Sequence, residues 1–254
     1  MSITQDFEME GMKNIGNAVA VTLKKMRAYA RPGMSTLELD EYGAGILESM
    51  GAKSAPKLTY NFPGWTCISR NEEIAHGIPA AGKILEDGDL VNIDVSAELD
   101  GFWADNGGSF VLGNDIHHRQ PLVDASKKIL YNAIHQIKGG VRIADTGRLI
   151  ELQAKRAGFN VIKNLTGHGV GRSLHEEPAE IACYYDRYNT NRFRKNVVVA
   201  IETFISTRST IAVEQEDGWT LKGRHGGFVA QHEHTIVVTD GAPIILTLGN
   251  EIWN

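Results

Sequence analysis

Over residues 6–30, apolar side chains recur at Met12, Ile15, Val19, Leu23 and Met26, at the spacing that gives a helix one buried stripe. Arg31-Pro32-Gly33 stops that helix, because proline brings no amide hydrogen and glycine frees the chain from helical dihedrals. Ser35-Thr36-Leu37-Glu38 has the form of a capping box. It opens a second predicted helix, with Ile46, Leu47 and Met50 turned inward and Gly51 as its stop. From Leu90 the period falls to two. Val91, Ile93 and Val95 alternate with Asn92, Asp94 and Ser96, which predicts a strand. Asp100-Gly101 suits a hairpin turn with positive φ, and residues 102–112 return as the partner strand. Further helices are expected over 122–138 and 144–157, then strands over 196–206 and 230–239. Helices segregated from mostly antiparallel strands define an α+β class. The order helix, helix, strands occurs twice, so two related halves are conceivable.

The hairpin turn sets a register that brings two acids together. If Asp100 and Gly101 form the loop, Leu99 faces Phe102 and Ser96 faces Asp105. Asp94 then shares a face with Asp105 as its diagonal neighbour, roughly 7–8 Å away at the backbone. Two more acids interrupt apolar strands: Glu202 in residues 196–205 and Glu233 just before Ile236-Val237-Val238. Asp and Glu are depleted in strands and rarely buried without a partner. Four such residues together need a cation, shared protons or water.

Histidine supplies a further donor. His168 lies among glycines in Thr166-Gly-His-Gly-Val-Gly171, where chain and imidazole can approach a site closely. His175 follows in Ser173-Leu-His-Glu-Glu-Pro178, and His76 lies in residues 71–79. His117, His118, His135 and His225 read as ordinary surface or core residues, and His232 and His234 should point away from Glu233. One imidazole with four carboxylates is an oxygen-rich donor set carrying more charge than one divalent ion neutralises. Two divalent ions fit it better. Such a pair polarises a carbonyl or a phosphoryl oxygen, so the donors alone reach a dinuclear metallohydrolase without choosing its bond.

Composition narrows the surroundings. The chain has 254 residues, 42% of them apolar and 22% charged, enough for a sizeable core. A net charge of −5 offers no basic field for nucleic acid. Cys67 and Cys183 are too few for a disulfide framework or an iron–sulfur set. No membrane-length apolar run occurs, and acids at the amino terminus do not suit a signal peptide. A cytoplasmic protein is expected.

Asn92-Ile-Asp94 with Ala104-Asp105, Thr166-Gly-His168-Gly-Val-Gly, His175-Glu-Glu-Pro, Ile201-Glu202 and Gln231-His-Glu233-His-Thr together resemble type I methionine aminopeptidases of the bacterial form. The likeness runs over nearly the whole chain, including residues 63–69 and 71–79. It implies a pita-bread fold: one catalytic domain over 1–254, with pseudo-symmetric halves of roughly 1–120 and 121–254 and helices outside a curved, mostly antiparallel sheet. It also implies two divalent ions (Co, Mn, Fe or Zn) held by Asp94, Asp105, His168, Glu202 and Glu233. Asp105 and Glu233 would bridge, and Glu202 would also accept a proton as a metal-bridging hydroxide attacks the scissile carbonyl. His76 is similar to the family's histidine beside the scissile amide, and His175 to the one that hydrogen-bonds the substrate carbonyl. Phe62, Cys67, Leu174 and Trp219, with Tyr60 nearby, would line the methionine pocket. Carbonyls near Asn71, Glu73 and Val229 would hold a monovalent cation. The implied substrate is the N-terminal methionine of nascent chains and peptides with a small second residue. The expected enzyme is a monomer that meets the ribosome transiently and binds neither membrane nor nucleic acid specifically.

Two positions depart from the family pattern: Asn106 stands where Thr usually follows the second Asp, and Thr203 where Pro usually follows the ligand Glu. Competing readings are an Xaa-Pro aminopeptidase or dipeptidase of the same fold, and a metal-free binding module. The first usually carries an extra amino-terminal domain. The second has lost metal ligands, and all five are present here.

Overall fold

Helix α1 (Asp6–Tyr29) turns the expected stripe fully inward in the computed structural model, which describes residues 1–253. Its first turn is tied down by the Glu8 carboxylate, which accepts from the amides of Thr4 and Gln5. Helix α2 (Thr36–Ser49) starts as expected, with Ser35 Oγ accepting from the Glu38 amide at 3.1 Å. Gly51 follows it in the left-handed region at φ 77°. Its inward stripe differs from expectation. Leu47 is buried, but Ile46 and Met50 are half-buried, and the contact runs through Leu39, Gly43 and Ala44. The cause is close approach to α1: a Cβ on Gly43 would lie 2.5 Å from Met26 Sδ.

The remaining elements follow in chain order. Strand β1 (Lys53–Ser54) leads into the short helix α3 (Ala55–Tyr60), then β2 (Cys67–Arg70), β3 (Glu73–Ala75) and the hairpin β4 (Leu90–Leu99) and β5 (Phe102–Val111). Helices α4 (Gln120–His135) and α5 (Ile143–Arg156) come next, starting slightly before the expected positions and ending before them. Then follow β6 (Asn160–Val161), β7 (Thr166–Gly169), β8 (Glu176–Ala182), β9 (Val198–Ser206), β10 (Ala212–Glu214), β11 (Leu221–Gly223), β12 (Val229–Val237) and β13 (Ile244–Ile245).

The main sheet runs β1-β4-β5-β12-β9-β7-β8, with β2, β6 and β13 added at its sides. The pairings are antiparallel. The hairpin has the expected register, Leu99 opposite Phe102 and Ser96 opposite Asp105, with Asp100 at φ 53° and Gly101 at φ 77°. At the centre β5 meets β12, so strands from the early and late parts of the chain join in one sheet.

Alternation gives that sheet two unlike faces. Helix α1 lies on β4 and β5, and α4 on β9 and β12. His232 points to the helical face, where its Nδ1 pairs with Ser126 Oγ of α4 at 2.9 Å. Glu233, the next residue, points to the other. A small sheet, β10-β11-β3, stands beside that second face. Among the described residues no helix is long and apolar enough to cross a membrane.

Candidate active site

Five adjoining strands of the main sheet project the predicted donors. Glu202 and Glu233 lie directly opposite each other across β9 and β12. Asp94 and Asp105 are diagonal neighbours across the hairpin, and β7 sets His168 opposite Ala200 of β9. Ligand atoms of Asp105, His168 and Glu233 all lie within 4.8 Å of one another. Asp94 and Glu202 line the same cavity, of about 460 Å³. A larger groove of about 760 Å³, beside Arg192 and Glu177, shares no lining residue with it.

The chemistry of the cluster fits a bound cation. Asp105 Oδ1 and Glu233 Oε1 are buried with no hydrogen-bond partner among the described residues. An unpaired buried carboxylate oxygen is costly. Burial, then the charges of Asp105 and Glu202, pushes the Asp94 carboxyl well up. Burial pushes Asp105 up to about 6, and burial with the Asp105 charge pushes Glu202 up to about 8. Glu233 is driven well up by burial, then by Asp105, Glu202 and Asp94. These groups cannot all ionise together unless positive charge sits among them.

His168 fits the same demand. Its Nδ1 lies 3.0 Å from the Gly169 carbonyl, an acceptor only, so Nδ1 carries the proton. Nε2 therefore holds a lone pair, 3.8 Å from Asp105 Oδ2. Burial, then the neighbouring His175, lowers the His168 pKa to about 4, keeping the ring neutral. A lone pair facing an anion is repulsive, whereas a divalent ion between them binds both.

A side chain overlooked in the sequence orders the two glutamates. Gln231 Nε2 donates to Glu202 Oε2 at 3.3 Å and to Glu233 Oε2 at 3.1 Å. Its Oε1 accepts from Asn92 Nδ2 at 2.7 Å, and Asn92 Nδ2 also reaches the Gln231 carbonyl at 3.3 Å. The available signal was Gln231 sharing Glu233's face two residues away, but a neutral amide raises no charge anomaly.

The two unusual residues sit behind the ligands. Asn106 Nδ2 donates to the Val95 carbonyl at 3.0 Å, and its Oδ1 accepts from Asn250 Nδ2 at 2.9 Å. Thr203 Oγ1 pairs with Ser126 Oγ at 3.1 Å, joining β9 to α4.

The expected substrate-side residues surround the same cavity. Phe62 and Trp219 meet edge to face with ring centroids 5.2 Å apart, and Cys67 and Leu174 are buried in its wall. His76, at φ 53°, reaches the cavity from the end of β3. Its pKa is lowered by burial and by His175, against the opposing pull of Glu214. The His175 ring lies tilted against His168, centroids 4.2 Å apart and planes at 47°, and burial lowers its pKa too. Asn71 and Glu73 lie apart from these, in a groove with Lys83, Arg119 and Phe228, one residue before Val229. There the Asn71 side chain is engaged by Leu90, Asp89 and Arg119. His117, His118, His135 and His225 are exposed, and His232 and His234 lie buried on the helical side.

Residues 10–240 match metallopeptidase family M24. Methionine aminopeptidase 2 of Bacillus subtilis is 49% identical over 247 residues, covering 97% of this chain and 99% of that protein. The methionine aminopeptidase of Escherichia coli is 36% identical over 250 residues, covering 98% and 94%. The crystal structure of methionine aminopeptidase from Thermotoga maritima superimposes with a TM-score of 0.92 at 35% identity, covering 97% of this chain and 99% of that one. A prolidase from Pyrococcus furiosus shares the fold at TM-score 0.77 and 19% identity, and only 65% of its chain is matched.

Proposed function

This chain belongs to metallopeptidase family M24 and has its pita-bread fold, and from that premise we propose that it removes the N-terminal methionine from proteins and peptides with a small second residue. The observation that carries the reading is the convergence of Asp105, His168 and Glu233 within 4.8 Å, in a chain 49% identical to a methionine aminopeptidase.

In this proposal Asp94, Asp105, His168, Glu202 and Glu233 hold two divalent ions, with Co, Mn, Fe and Zn all suited to the donor set. Bound there, such ions supply Lewis-acid polarisation and lower the pKa of water toward neutrality. The chain's own residues do the rest. Glu202 takes up the proton released as the scissile carbonyl is attacked. His175 donates to the carbonyl oxygen as negative charge builds on it. The C–N bond then breaks as the proton held by Glu202 passes to the leaving nitrogen, with His76 beside it. Phe62, Tyr60, Cys67, Leu174 and Trp219 exclude water from the methionine side chain, whose flexible thioether packs well against aromatic rings. A lysine there would bury an ammonium without a partner, a loss of several kcal/mol.

The halves 1–120 and 121–254 work as one catalytic unit in this reading, since Asp94 and Asp105 come from the first and His168, Glu202 and Glu233 from the second. A monovalent cation on carbonyls of Asn71, Glu73 and Val229, a cytoplasmic monomer and transient contact with the ribosome belong to the same proposal. The deciding experiment is kcat/KM on Met-Ala-Ser, Leu-Ala-Ser, Lys-Ala-Ser and Ala-Pro-Ala. Met-Ala-Ser should be the best substrate, with leucine poorer by about 1–3 kcal/mol and lysine inert. Efficient release of alanine from Ala-Pro-Ala would instead make the enzyme proline-directed.

A further inference from the structure

The Tyr60 hydroxyl lies 2.7 Å from His175 Nδ1 at the mouth of the cavity. This tyrosine is the last residue of α3, and the helix end is well defined. Ser54 Oγ accepts from the Lys57 amide at its start, and Asn61 turns left-handed at φ 58° at its finish. The Asn61 and Phe62 amides then donate back to the carbonyls of Lys57 and Pro56. Phe62 is buried against Trp219, which holds the chain just beyond Tyr60. The phenol is thus presented to His175 by a fixed element.

We infer that Tyr60 is a positioning residue that donates to His175 Nδ1 and so fixes that imidazole as its Nε2–H tautomer. The inference rests on the reading of His175 as donor to the scissile carbonyl. A carbonyl oxygen only accepts, so the ring nitrogen that meets it must carry the proton. A neutral imidazole has one N–H and one lone pair. With Nδ1 taken by Tyr60, Nε2 is the nitrogen left for substrate, and Nδ1 must then accept. A phenol can supply that donor, because its O–H remains protonated at neutral pH. His168 repeats the logic with the opposite result. Its Nδ1 meets the Gly169 carbonyl, which forces the proton onto Nδ1 and leaves Nε2 as a lone pair. Two neighbouring histidines with ring centroids 4.2 Å apart are thereby set to opposite tautomers by their partners, one to bind a cation and one to donate.

The test uses the zinc-loaded protein labelled with ¹⁵N-histidine at pH 8, with His175 assigned from the signal lost in His175→Gln. In the wild type, long-range ¹H–¹⁵N correlations should show Nε2 protonated and Nδ1 as a hydrogen-bonded acceptor. Tyr60→Phe keeps the ring and removes the donor, so its His175 signals should move toward a mixture of tautomers. With Met-Ala-Ser as substrate, the same variant should lower kcat by roughly three- to tenfold, the worth of one neutral hydrogen bond. KM and zinc content should stay near wild type. A wild-type His175 protonated at Nδ1 would overturn the inference, as would a Tyr60→Phe protein with an unchanged tautomer. The tautomer is read without turnover, so a failure of the aminopeptidase reading shows separately, as absence of methionine release by the wild type.

Discussion

Glu202 and Gln231 show how a single oxygen is assigned its task. Glu202 Oε2 accepts from Gln231, which leaves Oε1 to act on a proton or an ion. Glu202→Gln keeps the size of the side chain but cannot accept the proton. Its kcat should fall by about 10²–10⁴-fold, the usual worth of general base help. Measured beside metal content, near-normal turnover would remove Glu202 from that role. Gln231 is tested differently, because it touches the glutamates and not the reacting atoms. Gln231→Met keeps the volume and deletes both donated hydrogen bonds. Metal titration of the metal-free variant should give affinity weaker by about 10–100-fold, as expected when a ligand's supporting hydrogen bonds are lost. The acids were legible in the sequence because charge in an apolar strand is anomalous. Gln231 was not, since an amide in a strand is unremarkable until its neighbours are known.

At the scale of elements, the hairpin β4–β5 and the connection β7–β8 each carry a separable duty. Gly107 lies opposite Asp94, and a Cβ there would collide with Gln231 Oε1. Gly107→Ala should therefore displace the amide and reproduce the metal loss of Gln231→Met, at an added stability cost of about 1–3 kcal/mol. Combining the two substitutions should add little further loss of affinity, because both act through one contact. Full additivity in metal titrations would show that Gly107 acts otherwise. The β7–β8 connection holds one histidine on each side. His168→Ala should lower bound metal, whereas His175→Ala should leave metal near normal and lower kcat. Equal metal loss in both would mean their duties were misassigned. The hairpin was readable because Asp100-Gly101 dictates the turn and the turn dictates the register. Helix α3 and strands β2, β3, β10 and β11 were not, since pieces of three to six residues show no periodicity. Tyr60 owes its placement to one of these, which is why its partnership with His175 was invisible in the sequence.

Across the whole molecule, the buried acids make stability depend on what neutralises them. Folding raises Glu202 from 4.5 to about 8 and drives Asp94 and Glu233 well up. A carboxyl whose pKa is higher when folded stabilises the fold while it is protonated, and that contribution is lost as pH rises toward the folded value. Buried histidines act with the opposite sign. His168 falls from 6.5 to about 4, His234 from 6.5 to about 3 and His232 well below 6.5, so their cost is felt from about pH 7.5 downward. From about pH 7.5 to 8.5 those histidines are neutral in both states, and the buried carboxyls set the sign of the slope. Metal-free protein should therefore lose thermal stability steadily across that window. Divalent ions replace protons as the counter-charge, so the loaded protein should hold its Tm there, and the gap between the two should widen with pH. Metal binding at pH 7 should also release protons, seen as a calorimetric heat that changes with the ionisation enthalpy of the buffer. A metal-free Tm that stays level or rises from about pH 7.5 to 8.5 would mean that the acids are not held together as the sheet register requires.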